Sequence, residues 1–167
     1  AEPHMTGIGG DCFAMLSIDG SSNTKALNAS GKSPENSSAN HLRNKGIKLI
    51  KPEMPDAITI PGAVAGWSLL HKEHGYMPWN EIFQPAINYA KSGIIVHERV
   101  AYDWAKNTEK LLADRDTAEI FLNNQKPFNV TENFKNIKLS KTLETIAKEG
   151  SEGFYNGWVA DDMLEKL

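Results

Sequence analysis

A periodic run of apolar residues between positions 79 and 90 restricts the fold of this chain more than any other feature. The run places apolar side chains at positions i, i+3, i+4, i+7, i+8 and i+11: Trp79, Ile82, Phe83, Ala86, Ile87 and Ala90. This spacing places all of them on one face of an α-helix, and that face must be buried against another element. Pro85 interrupts the run, so we expect a kink or two abutting helices.

Weaker patterns of the same kind predict further helices through the rest of the chain. Glycines that can end a helix follow several of these segments. The predicted helical segments are 62–75, 79–92, 100–105, 111–122, 139–150 and 158–167, with a polar loop at 123–138. Four tryptophans occupy apolar helical positions and are expected in the core: Trp67, Trp79, Trp104 and Trp158.

The beginning of the chain has a β pattern instead. Residues 11–20 alternate loosely and end in Asp19-Gly20, and a second β-like run covers 24–29, which together predict a β-hairpin. A polar stretch follows, interpreted as a loop or as a short helix near 36–43. We therefore expect a mostly helical α+β fold over 1–167, with a β element at 1–30, a loop region at 31–61 and a helical region at 62–167.

Charge and length exclude several classes of partner. The 167 residues carry 18 Lys and Arg against 21 Asp and Glu, a net charge of −3, which argues against nucleic-acid binding. The cations are scattered and no apolar stretch approaches the roughly 20 residues that span a bilayer, so we expect no membrane partner. The chain begins without Met and ends inside a predicted helix, so we expect a piece of a longer protein and predict no compartment.

Three local features invite a chemical interpretation, and each has a simpler one. Gly7-Ile8-Gly9-Gly10 lacks the Gly-Lys-Ser/Thr of a phosphate loop and is expected to form a tight turn with positive φ. His71 and His74 share a helix face, but we expect a half-buried polar face rather than a metal site. Cys12 lies within a predicted apolar strand and is expected to pack as a small hydrophobic residue.

Several blocks of sequence, taken in order, resemble the γ-glutamyltransferase family, also called γ-glutamyltranspeptidase or glutathione hydrolase. The first is Glu-Pro-His-Met-Thr-Gly-Ile-Gly-Gly at 2–10, followed by a predicted strand. The second is Ile-Pro-Gly-Ala-Val-Ala-Gly-Trp at 60–67, and the third is Gly-Phe-Tyr-x-Gly-x-x-Ala at 153–160. Together they span nearly the whole chain.

The resemblance implies an Ntn-hydrolase αββα sandwich made as a precursor that cleaves itself into two subunits. Its nucleophile is a threonine at the new N-terminus of the small subunit, which attacks a γ-glutamyl amide of glutathione-like substrates. This chain matches the large subunit only, so no catalytic residue lies in it and the isolated chain is expected to be inactive. The resemblance implies neither a metal nor an organic cofactor. The expected partners are the chain's own small subunit and a small γ-glutamyl substrate.

One substrate-binding position can be carried over, and here the sequence departs from the family pattern. The usual block is Leu-Asp-Phe-Arg-Glu-x-Ala-Pro, whose arginine binds the substrate α-carboxylate, whereas residues 27–34 read Leu-Asn-Ala-Ser-Gly-Lys-Ser-Pro. Ser30 takes the position of the arginine, and Lys32 would lie on the same side of a strand and could supply the charge. Asn28, Ser30 and Lys32 are therefore the candidate substrate-binding residues.

The departure leaves the substrate class open. A related Ntn amidase of the cephalosporin-acylase kind and a non-catalytic structural fragment remain alternatives to a γ-glutamyl hydrolase or transferase. The helices are patterned to cover a sheet that is mostly absent, so we also expect the face of Trp79, Phe83 and Ile87 to be exposed. Association with the small subunit, or self-association, would bury that face.

Overall fold

The computed structural model describes residues 2–52 and 54–167. Ala1 of the predicted 1–30 element and Glu53 of the predicted 31–61 loop lie outside the described residues. The strands are β1 (Cys12–Ser17), β2 (Thr24–Ala29), β3 (Ile94–Ile95) and β4 (Asn133–Phe134). The helices are α1 (Ala39–Asn44), α2 (Ala63–His74), α3 (Trp79–Ile82), α4 (Gln84–Ser92), α5 (Glu98–Lys106), α6 (Thr108–Leu112), α7 (Arg115–Phe121), α8 (Ile137–Glu149), α9 (Glu152–Tyr155) and α10 (Trp158–Lys166).

The chain divides into two compact units. The first unit contains the N-terminal residues up to Thr6 together with Met77–Gly153, and the second contains Gly7–Tyr76 together with Phe154–Leu167. Among the described residues, no helix is long and apolar enough to cross a membrane.

The predicted hairpin is confirmed and forms the centre of the second unit. β1 and β2 pair antiparallel, with Cys12 opposite Ala29 and Ser17 opposite Thr24. Helix α2 packs on one face of the hairpin so closely that a Cβ at Gly66 would lie 2.7 Å from the Cβ of Ala29. The glycine therefore lets the helix backbone approach the sheet.

The opposite face of the hairpin is open. Alternate residues of β1 point away from α2, and among them Phe13 and Met15 are 68% and 79% exposed. The inner residues of the same strand are half-buried. Because successive side chains of a strand point to opposite faces, one face of the hairpin is covered by α2 and the other is an uncovered apolar face.

The polar stretch after the hairpin allows a loop or a short helix, and the structure contains a short helix, α1. The Ser38 hydroxyl accepts a hydrogen bond from the His41 N–H and caps the start of α1. At its end, Gly46 has a φ of 75°, its N–H donates to the Arg43 carbonyl, and the Ile47 N–H donates to the Leu42 carbonyl. These bonds are those of a Schellman motif.

In the first unit, the strongly periodic segment forms two abutting helices, which is one of the two predicted alternatives. α3 and α4 meet at Phe83, just before Pro85. The expectation that their apolar face is exposed is wrong, because α8 of the same chain packs against both helices. Phe83 and Ile87 are only 7% and 3% exposed. Trp79 is half-buried, and its ring N–H donates to the Ile146 carbonyl at 2.8 Å.

An aromatic cluster around α5 forms the other part of the first unit. Trp104 is buried and lies 4.9 Å from Phe134 and 5.5 Å from Phe128, measured between ring centroids. The expectation of a continuous loop at 123–138 is wrong at Phe134, which belongs to β4 and pairs with Ile94 of β3. A two-residue strand shows no sequence periodicity, which is why the pattern missed it.

Two further expectations need correction. The single helix predicted at 111–122 is two helices, because Asp114 leaves the helical conformation and caps α7 by accepting from the Thr117 N–H at 2.8 Å. Trp158, expected in the core, is half exposed at the first position of α10. An apolar residue at a helix end can meet solvent even where the spacing agrees with a buried face.

Candidate substrate-binding site

The candidate residues Asn28, Ser30 and Lys32 lie where β2 ends and the chain turns away from the hairpin. The side-chain oxygen of Asn28 accepts a hydrogen bond from the backbone N–H of Ser30 at 2.9 Å. This is an Asx turn, in which the asparagine side chain replaces a backbone acceptor. Asn28 therefore shapes the turn, while the side chains of Ser30 and Lys32 are exposed to solvent.

The strand argument for Lys32 is wrong, because β2 ends at Ala29 and strand alternation does not extend beyond it. The backbone after Ala29 bonds to two other segments instead. The Gly31 N–H donates to the Asp11 carboxylate at 2.8 Å, and the Lys32 carbonyl accepts from the Ile60 N–H at 2.9 Å. These bonds fix the backbone that carries Lys32. Its pairing with a substrate carboxylate stays a prediction.

Close packing accounts for Gly31, the residue that the resemblance aligns with the glutamate of the family block. A Cβ at this position would collide with the Ile60 carbonyl oxygen and lie 2.7 Å from the Thr59 hydroxyl oxygen. The backbone of the 59–60 segment therefore occupies the space that a side chain at position 31 needs. Only glycine fits between the Asp11 carboxylate and that segment.

The glycine-rich turn before β1 contacts the start of α2. The Gly10 carbonyl accepts hydrogen bonds from the Gly62 and Ala63 N–H groups at 3.1 and 2.9 Å, and a Cβ at Gly62 would collide with the Ala29 carbonyl. A turn is present, with the Gly10 N–H donating to the Gly7 carbonyl at 3.4 Å. The expected positive φ is wrong, since none of these glycines has it. The turn instead presents a carbonyl to the helix.

Tyr155 completes this arrangement, although it was not among the predicted site residues. Its hydroxyl donates to the Pro61 carbonyl at 2.7 Å and accepts from the Ala65 N–H at 3.0 Å. Burial raises the pKa of this hydroxyl, which the hydrogen bond from Ala65 opposes only in part. The hydroxyl therefore stays protonated at neutral pH and can donate and accept at once. Its one sequence signal is its place in the Gly-Phe-Tyr-x-Gly block.

A second polar cluster lies in the first unit and was not predicted. The His4 ring nitrogen Nε2 lies 2.9 Å from an Asp103 carboxylate oxygen, to which Arg99 Nε also donates at 2.6 Å. The hydrogen bond from Arg99 and then that from His4 lower the pKa of Asp103. The cluster ties the N-terminal segment to α5. His4 and Asp103 are 99 positions apart, so no local pattern could have joined them.

The remaining candidates have ordinary surroundings. His71 and His74 are half-buried on α2, and His74 lies 3.4 Å from the Glu73 carboxylate. Cys12 is half-buried against α2. Within residues 2–52 and 54–167, no group of three or more His, Cys, Asp or Glu side chains is arranged to hold a metal ion.

Comparison with solved structures identifies the fold. The chain superposes on a cephalosporin acylase from Bacillus halodurans with a TM-score of 0.89 and 29% identity, covering 97% of this chain and 31% of that one. It superposes on the Helicobacter pylori γ-glutamyltranspeptidase with a TM-score of 0.87 and 26% identity, covering 96% and 47%. The fold is therefore that of part of an Ntn hydrolase, as the resemblance implied.

Sequence comparison identifies the family. The gamma-glutamyltranspeptidase family model matches residues 1–167. The Bacillus subtilis protein named glutathione hydrolase-like YwrD proenzyme is 32% identical over 99% of this chain and 31% of its own length. The chain belongs to the γ-glutamyltranspeptidase family, and it spans about a third of the length of that relative.

Proposed function

We propose that this chain is the substrate-binding part of a self-processed γ-glutamyl hydrolase or transferase. The observation that carries the proposal is the hydrogen-bonded backbone from Asn28 to Lys32, the segment that the resemblance aligns with the family's carboxylate-binding block. Its hydrogen bonds to Asp11 and Ile60 fix a segment whose Ser30 and Lys32 side chains face solvent. The family match and the name of the Bacillus subtilis relative support this activity.

In this proposal the Lys32 ammonium pairs with the α-carboxylate of the γ-glutamyl group, and the Ser30 hydroxyl donates a hydrogen bond to it. Lysine acts as a point charge, so it binds the carboxylate with less directional control than arginine. The segment thereby holds the substrate at one end and leaves the γ-amide free to meet the nucleophile.

The nucleophile is a threonine at the N-terminus of the small subunit, outside this chain. Its hydroxyl oxygen bonds to the γ-carbonyl carbon while its proton passes to the threonine's own α-amine. The C–N bond then breaks, and the leaving amine takes that proton. Water or an acceptor amine subsequently attacks the γ-glutamyl ester and releases the threonine.

A second candidate is an amidase that acts on N-acyl substrates of the cephalosporin type. The specific observation in its favour is Ser30 in place of the family's arginine, because serine cannot form a bidentate ion pair with a carboxylate. The superposition on a cephalosporin acylase is consistent with it.

The two candidates differ in whether Lys32 recognises a carboxylate. We would assay the full-length protein with γ-glutamyl-p-nitroanilide and with 4-aminobutyryl-p-nitroanilide, which lacks the α-carboxylate. Lys32→Gln should raise KM for the first substrate at least about tenfold and leave the second unchanged, since a hydrogen bond to a charged group contributes about 1.5–3 kcal/mol.

The matched control is Lys25→Gln, which removes an exposed cation from the same hairpin. Equal effects of Lys32→Gln on both substrates would contradict carboxylate recognition, and turnover of N-acyl substrates alone would favour the amidase. A denaturing intact-mass spectrum tests self-processing separately. A second polypeptide beginning with threonine is expected, and a single unprocessed chain would favour the non-catalytic alternative.

A further inference from the structure

The Tyr155 hydroxyl joins two backbone groups at the start of α2, from a position about 90 residues away in the sequence. It accepts from the Ala65 N–H at 3.0 Å and donates to the Pro61 carbonyl at 2.7 Å. Both bonds end on the backbone, so the hydroxyl fixes the path of the 61–65 segment itself.

This hydroxyl replaces a missing helix cap. Gly62 is the N-cap residue of α2 and has no side chain with which to accept a hydrogen bond. In most helices a Ser, Thr, Asp or Asn at this position accepts from the N–H of the second or third helical residue. Ala65 is the third residue of α2, and Tyr155 supplies the acceptor for it.

Gly62 cannot be changed to such a residue, because a Cβ there would collide with the Ala29 carbonyl at the end of β2. The same close contact means that the start of α2 and the end of β2 meet backbone to backbone, without a side chain between them. A capping group must therefore come from elsewhere in the chain, as it does from Tyr155.

The 60–62 backbone, to which Tyr155 bonds at Pro61, also contacts the candidate site. The Ile60 N–H donates to the Lys32 carbonyl at 2.9 Å, and the Ile60 carbonyl lies against Gly31. A displacement of the 60–62 backbone would consequently displace residues 30–32, since these contacts leave no flexible side chain to absorb it.

We propose that Tyr155 is a positioning residue for the substrate-binding segment, acting through the 60–62 backbone on Ser30 and Lys32. The proposal rests on the proposed function for its effect on substrate binding. Its mechanical part, the coupling of Tyr155 to residues 30–32, stands independently of what the substrate is.

The test is Tyr155→Phe in the full-length protein, which removes the hydroxyl and keeps the ring. Tyr76→Phe is the matched control, because Tyr76 is fully exposed in the same unit. Hydrogen exchange measured by mass spectrometry should rise at least fivefold in Tyr155→Phe, confined to peptides containing Gly31, Ile60 and Ala65. Unchanged exchange in the peptides containing Gly31 and Ile60, or a uniform rise throughout the protein, would overturn the proposal.

A double-mutant cycle with Lys32→Gln separates positioning from general stabilisation. Tyr155→Phe should raise KM for γ-glutamyl-p-nitroanilide about fivefold and change kcat less than twofold. In the Lys32→Gln background its effect on KM should be less than about twofold, since only Ser30 is left to be displaced. Additive effects on KM would overturn the coupling through Lys32. If the wild-type protein turns over no γ-glutamyl substrate, the proposed function fails, and the exchange pattern alone decides whether Tyr155 positions the segment.

Discussion

Each of the two units is stabilised internally by its own kind of contact. The first unit is packed by large side chains, with the Trp104 cluster and the α3, α4 and α8 interface at its centre. In the second unit, backbone meets backbone at Gly31 and Gly62, and at Gly66 the backbone of α2 lies directly against the side chain of Ala29. Side-chain packing tolerates local adjustment, whereas backbone contacts transmit displacement directly. The candidate site lies in the second unit.

The largest expected effect of a single substitution is in the first unit. Trp104→Ala removes the ring that contacts His4 and the phenylalanines of the cluster. Emptying such a buried site should lower the free energy of unfolding by about 3–5 kcal/mol, as measured by denaturant titration. Trp158→Ala, at a half-exposed tryptophan, is the control and should cost much less. Equal losses would mean that the cluster is not the core of this unit.

The next largest expected loss of stability comes from a substitution in the second unit. Gly66→Ala adds one methyl group 2.7 Å from the Cβ of Ala29, so α2 and the hairpin must move apart. We expect a loss of about 1–3 kcal/mol in denaturant titration, from overpacking. Gly9→Ala is the control, because a Cβ there has no heavy atom within 4 Å. A Gly66→Ala protein as stable as Gly9→Ala would contradict the close contact between α2 and the hairpin.

The smallest expected effect concerns pH and the link between the N-terminal segment and α5. The hydrogen bonds from Arg99 and His4 lower the pKa of Asp103 below its ordinary value of 3.8. A lowered carboxyl pKa contributes stability that is complete above the unfolded-state pKa and is lost as the pH falls through the folded-state value. Thermal unfolding of Asp103→Asn should therefore depend less on pH than that of the wild type as the pH falls below the ordinary carboxyl pKa of 3.8. Parallel curves for the two proteins would show that Asp103 contributes nothing to this dependence.

Local patterns predicted the elements well. The apolar spacing of 79–90 and the break at Pro85 gave α3 and α4, and β1 and β2 followed from their runs around a turn. The same spacing did not tell which element covers a face. The cover of Phe83 and Ile87 is α8, which lies some 50 residues further along the chain, and that pairing depends on tertiary packing.

The candidate site was located only by its resemblance to a family block. That block identified Asn28, Ser30 and Lys32, but it gave neither the Asx turn nor the end of β2 at Ala29. Tyr155 was missed because its hydrogen bonds reach residues that lie 90 and 94 positions earlier. Contacts of this range leave no periodic trace in the sequence.

The confined space at Gly31 has a consequence for altering the specificity of this protein. Ser30 is exposed, so an arginine can be introduced there without displacing the backbone. Glutamate at position 31 cannot follow it, because the Ile60 carbonyl already fills that volume. An Arg-Glu pair at positions 30 and 31, of the kind the resemblance leads us to expect in the family, therefore requires rebuilding the 59–60 segment as well. Such a change of specificity would alter the backbone and not the two side chains alone.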